Sequence, residues 1–165
     1  MHIDAQGSHP TAIRGRSGRQ YGIERALQDK GRLLSRVFLA TYVPTRASTG
    51  FQLNYYRSGD ERFILKEIPR NNYKSRLEIY RRLGSYPYVR GLEDTCPDQS
   101  IFVFKYLKEN LLGLVQKNLP ITTTKNILRD ALRGLAAMHD KDIVHNGINV
   151  FHSHTAGRPL INIRY

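Results

Sequence analysis

The sequence predicts an α+β fold in which five antiparallel strands, with one helix between the third and fourth, precede two further helices. Three observations predict it. Short runs of β-branched and aromatic residues alternate with turn residues. A helix-period segment follows the third run and stops at Gly84. A long amphipathic pattern then fills residues 126–138.

Residues 1–20, rich in Gly, Ser and Arg with almost no apolar periodicity, predict a disordered basic arm. Residues 21–27 and the run RVFLATY at 36–42 predict a hairpin around a polar turn at 28–35. The Pro, Thr, Ser, Gly and Arg of residues 44–60 predict a long loop around one apolar patch, Phe51 to Tyr56. RFILKEI, 62–68, predicts a third strand with Phe63 and Leu65 on one face and Ile64, Lys66 and Ile68 on the other, stopped by Pro69. Asn71 or Asn72 caps a helix through Tyr73, Leu77, Tyr80 and Leu83, and Gly84 takes the left-handed C-terminal position. Strands follow at 88–92 and 100–106, joined through Cys96, Pro97, Asp98 and Gln99. A short helix at 110–117 leads through Pro120 to Thr122 to Thr124, which offer caps for the long helix. Within that helix Ile127, Ala131, Leu135 and Met138 recur at helical spacing, with Leu128 and Leu132 beside them.

Composition bounds the function. The chain has 165 residues, enough for one modest core, and its 40% hydrophobic and 24% charged content is that of a folded protein. Twenty-six basic against 14 acidic residues give a formal charge of +12, which favours acidic surfaces without naming one. A single Cys96 excludes an internal disulfide framework. The first residues lack a signal-peptide apolar core, and no run reaches the ~18–20 apolar residues of a membrane span. The expectation is an intracellular protein, cytoplasmic or nuclear, without membrane contact.

The element order, with the fragments EIYRRLGSYPYV, DQSIFVFKYL and ALRGLAAMHDKDIVH, resembles the protein kinase-like superfamily, and a group of divergent fungal kinase-like proteins in particular. The resemblance covers about residues 21–145. It implies a protein-kinase-like, five-stranded antiparallel small lobe with one helix over 21–104, a hinge and an incomplete large lobe over 105–152, and an irregular tail over 153–165. It implies an ATP-dependent protein phosphotransferase ancestry.

On that resemblance, Lys66 in FILK stands at the third-strand lysine that meets the nucleotide phosphates. Val37 stands at the valine after the glycine-rich turn, and Ile64 at the position against adenine. Lys105, Tyr106 and Leu107 stand at the hinge, where backbone groups hold the base. Glu78 is the candidate ion-pair partner for Lys66, with a shifted register placing Arg76 or Leu77 there instead. The phosphate cradle is degraded: Lys30, Arg32 and Ser35 occupy its glycine positions, with Gly31 between them.

The catalytic loop departs further. Transfer needs an Asp to orient the hydroxyl and an Asn and a second Asp to hold magnesium. Gly147 occupies the Asp position, Asn149 the lysine position and His152 the Asn position, and nothing in HSHTAGRPLINIRY resembles D-F-G. The expectation is a catalytically inactive chain that holds ATP weakly at most and has no use for magnesium. His145, His152 and His154 match no zinc-ligand spacing, so no metal is expected. Later large-lobe helices are missing, so a protein partner is expected over the exposed face of the 126–138 helix. The alternative is a basic nucleic-acid-binding module using Arg14, Arg16 and Arg19 and some of the ten Tyr; nucleic acid is the less favoured partner, because basic and aromatic residues do not alternate along one strand.

Overall fold

The computed structural model describes residues 12–29, 36–44, 61–110, 113, 116–144, 154–155 and 159–160. The chain divides into two compact units, Met1–Arg70 with Glu93–Tyr106, and Asn71–Leu92 with Leu107–Tyr165.

The first unit is a six-stranded antiparallel sheet. Its strands are β1 (Ala12–Arg14), β2 (Gln20–Gln28), β3 (Val37–Val43), β4 (Arg62–Glu67), β5 (Asp94–Cys96) and β6 (Ile101–Lys105), in the order β1-β2-β3-β4-β6-β5. Period-2 alternation sends one side of every strand inward. Leu65 faces Phe38 and Val103, Ala40 faces Phe63, and Ile101 faces Cys96. These residues, with Ile13 and Tyr21, form one core to which all six strands contribute. Each large side chain buried there contributes roughly 1.5–3 kcal/mol. Tyr21 stands edge-on to Phe63 with ring centroids 5.1 Å apart. Register shifts between Ile23 and Arg25 and between Ala26 and Gln28 bend β2.

The two edge strands meet. Gly18, at φ 86, turns the chain from β1 into β2, and the Arg16 N–H donates to the Thr95 carbonyl of β5 at 2.7 Å. The sheet is thereby nearly closed on itself, like a small barrel.

This corrects the expected fold. A protein-kinase-like, five-stranded small lobe is not what forms, because a sixth strand, within the segment expected to be an arm, pairs with β2 and ties the first edge to the last. With one buried residue in three, β1 is too short to show periodicity. The strand expected at 88–92 is also displaced. Val89 and Arg90 are buried there without forming an extended run, and the strand forms instead over Asp94–Cys96. Pro87 and Gly91 bracket that run, which holds a single bridge residue at Val89 and no extended strand.

In the second unit, α1 (Arg70–Leu83) buries Tyr73, Tyr80 and Leu83, and Gly84 closes it at φ 62 with its N–H on the Tyr80 carbonyl at 3.0 Å. Asn71 and Asn72 lie inside the helix and do not cap it. A longer helix, α2 (Ile121–His139), begins after Pro120, a residue earlier than the threonines expected as caps. It buries Ile127, Gly134, Ala137 and Met138. Short strands β7 (Glu109–Asn110), β8 (His154–Thr155) and β9 (Pro159–Leu160) make a three-stranded antiparallel sheet. The apolar patch Phe51 to Tyr56 and most of the helix expected at 110–117 lie outside the described residues. Among the described residues no helix is long and apolar enough to cross a membrane.

Candidate functional site

Strand pairing gathers part of the candidate nucleotide set. Val37 is the register partner of Lys66, and Ile64 lies two residues before Lys66, so all three share the outer face of the sheet. Phe102 pairs with Lys66 and Phe104 with Ile64 on that face, and both phenylalanines are buried. Lys105 instead pairs with Phe63, on the opposite side, and is exposed. The Tyr106 N–H donates to the Arg62 carbonyl at 2.9 Å, so the sheet already uses that backbone donor. Leu107 is buried and belongs to the second unit. Glu78 is exposed on α1 and pairs with Arg81 at 3.6 Å, while Arg76 and Leu77 are half-buried. Lys30, Gly31, Arg32, Ser35, His145, Gly147, Asn149 and His152 lie outside the described residues. No group of three His, Cys, Asp or Glu among the described residues is placed to hold a metal ion.

The densest polar constellation is one that sequence reasoning missed. Asp94, 8% exposed, faces the core from β5. Its Oδ1 accepts from the Ser17 N–H at 3.1 Å and from the Thr95 N–H at 2.7 Å. Its Oδ2 accepts from the Ser17 hydroxyl and from the Tyr21 hydroxyl, the latter at 3.0 Å. Burial works against the charge on this carboxyl, but the donors of Ser17, Thr95 and Tyr21 outweigh it and hold Asp94 below the usual carboxylate range. Burial first, then the bond to Asp94, pushes the Tyr21 hydroxyl well above its ordinary value. Burial first, then the charge of Asp94, pushes the Cys96 thiol up to about 12, so it is an inert thiol. Gly15 is required beside this cluster, because a Cβ there would fall 1.9 Å from Asp94 Oδ2. The carboxylate therefore serves as a clasp between the β1–β2 turn and β5. It has no open face from which to do acid–base chemistry on a substrate.

A second feature lies on α2. Ile127 and Met138 point into the second unit, whereas Leu128 and Leu132, one turn apart, are 56% and 65% exposed. With Ala136, Lys125, Arg129 and Arg133 they form an open, shallow face of this one helix. Arg133 lies over the Tyr88 ring, 5.6 Å from its centroid, and Asp130 lies 3.4 Å from both Arg129 and Arg133. Three cations against one carboxylate leave the row beside the leucines net positive. The 126–138 pattern signalled this helix, and the adjacent Leu128 and Leu132 were the signal for its second, outward ridge.

No protein-family model matches the chain, and no curated protein sequence matches it.

Proposed function

We propose that this chain works by binding and not by catalysis, as a non-transferring relative of the ATP-dependent protein phosphotransferases whose retained role is protein interaction through α2. The observation that carries this reading is the pair Leu128 and Leu132, more than half exposed on a helix whose opposite ridge is buried. The ancestry rests on the order of sequence fragments, and the loss of transfer on Gly147, Asn149 and His152 at the positions that would carry it. Charge complementarity chooses the partner. Lys125, Arg129 and Arg133 beside the leucines fit an amphipathic segment with apolar residues one turn apart and carboxylates flanking them.

The test is fluorescence anisotropy with a labelled synthetic helix carrying Leu at i and i+4 and Glu on either side. Binding should weaken at least about tenfold in the Leu128→Ser/Leu132→Ser double variant and again in Lys125→Glu/Arg129→Glu. Equal binding to a Lys-flanked version of the peptide, or to anionic lipid vesicles, would overturn the choice of partner.

A second reading, weak nucleotide binding, is favoured by one specific observation: Val37, Ile64 and Lys66 share one sheet face. Thermal-shift titration with ATP, with and without magnesium, checks it. A magnesium-independent shift that disappears in Lys66→Ala is expected, and an unchanged shift in that variant removes the assignment. The nucleic-acid reading draws less support, because the seven described tyrosines are all buried or half-buried and present no exposed stacking platform.

A further inference from the structure

Ser17 stands at the exposed tip of the β1–β2 turn, with exposed Arg14, Arg16 and Arg19 within three residues of it. Both its N–H and its hydroxyl go to the buried carboxylate of Asp94, 77 residues away on the opposite edge strand. A serine surrounded by guanidinium groups is what an acidic substrate groove selects, and here it also closes a seam. We propose that Ser17 is the acceptor of an arginine-directed serine kinase using ATP, and that the phosphate opens the junction between the β1–β2 turn and β5. This is independent of the α2 surface.

In the transfer, the Ser17 Oγ attacks the γ-phosphorus of ATP. An Oγ–P bond forms, the bond from the γ-phosphorus to the β,γ-bridging oxygen breaks, and ADP leaves with that electron pair. The hydroxyl proton passes to the base of the modifying kinase. Two things then change at the seam. The hydroxyl that donated to Asp94 Oδ2 is gone, and in its place stands a group of about −1.5 to −2 charge at neutral pH. Asp94 is buried and ionised, so it cannot accept that group as a neighbour. Arg14, Arg16 and Arg19 offer it charge-assisted partners on the solvent side, which draws the turn away from β5. Access to the hydroxyl needs the β1–β2 turn to leave β5 locally, which breaks the Arg16–Thr95 and Ser17–Asp94 bonds and leaves the rest of the sheet paired, and modification then holds the opened state.

The molecule carries its own reporter. Cys96, the single cysteine, is fully buried behind the seam on β5. The experiment treats the full chain with magnesium-ATP and the catalytic subunit of an arginine-directed serine kinase, maps the phosphate by peptide mass spectrometry, and follows the labelling rate of Cys96 by a thiol reagent. One phosphate on Ser17 and labelling about tenfold faster are expected, a factor that corresponds to ~1.4 kcal/mol of seam stability. Ser17→Glu should speed labelling more than Ser17→Ala, and that excess should vanish in an Asp94→Asn background, because it measures like charge against like charge. Phosphate on other residues with Ser17 unmodified would overturn the proposal. So would a phosphorylated Ser17 with Cys96 labelling unchanged, or equal rates for Ser17→Glu and Ser17→Ala. Loss of the whole melting transition on phosphorylation would overturn it too, since the expected opening is confined to the seam.

Discussion

Asp94 accepts four hydrogen bonds in the core of a basic protein, and its chemistry sets how the sheet responds to pH. Its folded-state value lies below that of an exposed carboxyl, so it contributes stability above the unfolded value of about 4. That contribution is lost as pH falls through the folded value. Urea unfolding followed by circular dichroism should therefore show stability falling as the pH drops below about 4, with a shallower fall in Asp94→Asn. At neutral pH, Asp94→Ala should cost about 2–4 kcal/mol, because the Ser17, Tyr21 and Thr95 donors would be left buried or re-solvated at a loss. None of this was legible in the sequence. Asp94 sits among Glu93, Thr95 and Asp98 in a stretch that reads as a turn, and its partners are 73 and 77 residues away. Lys66, Val37 and Ile64 were named as a set from the family resemblance; alternation in the sequence puts Ile64 and Lys66 on one face, and the β3–β4 register adds Val37 to it. Lys105 has the parity of Phe63 within β6 and not of Lys66, but the role expected of it runs through backbone groups, on which side-chain parity does not bear.

Among the elements, β4 follows its sequence pattern closely and α2 in part: of the expected stripe Ile127 and Met138 are buried, while Ala131 and Leu135 are half-buried. Phe63 and Leu65 are fully buried while Ile64 and Lys66 are half-buried, as alternation requires. In α2 the buried residues Ile127, Gly134, Ala137 and Met138 trace one ridge. The end of α1 was also readable, from Gly84. At φ 62, with open space where a Cβ would point, Gly84→Ala costs backbone strain alone, about 1 kcal/mol, measurable as a lower urea midpoint at unchanged slope. Starts were harder to place than stops. Asn71, Asn72 and Thr122 to Thr124 are good capping types, yet both helices begin before them, each just after a proline whose fixed φ and missing N–H suit a helix entrance.

At the scale of the whole molecule, composition predicted charge and size but not closure. The +12 charge implies self-repulsion, so raising salt from about 0.05 to 0.3 M should raise the melting temperature by a few degrees. A fall in that range would show that local pairs such as Arg36 with Glu67, at 2.6 Å, outweigh the global field. Sheet closure escapes sequence reasoning because it depends on a contact between chain ends of the sheet and leaves no periodic trace in either. It also has a temporal side. Ser17 leaves a ribosome 77 residues ahead of Asp94, an interval of roughly 4–15 s at ~5–20 residues per second. Throughout that delay the hairpin has no far edge to dock on, and the serine hydroxyl stands open to any enzyme that reaches the nascent chain.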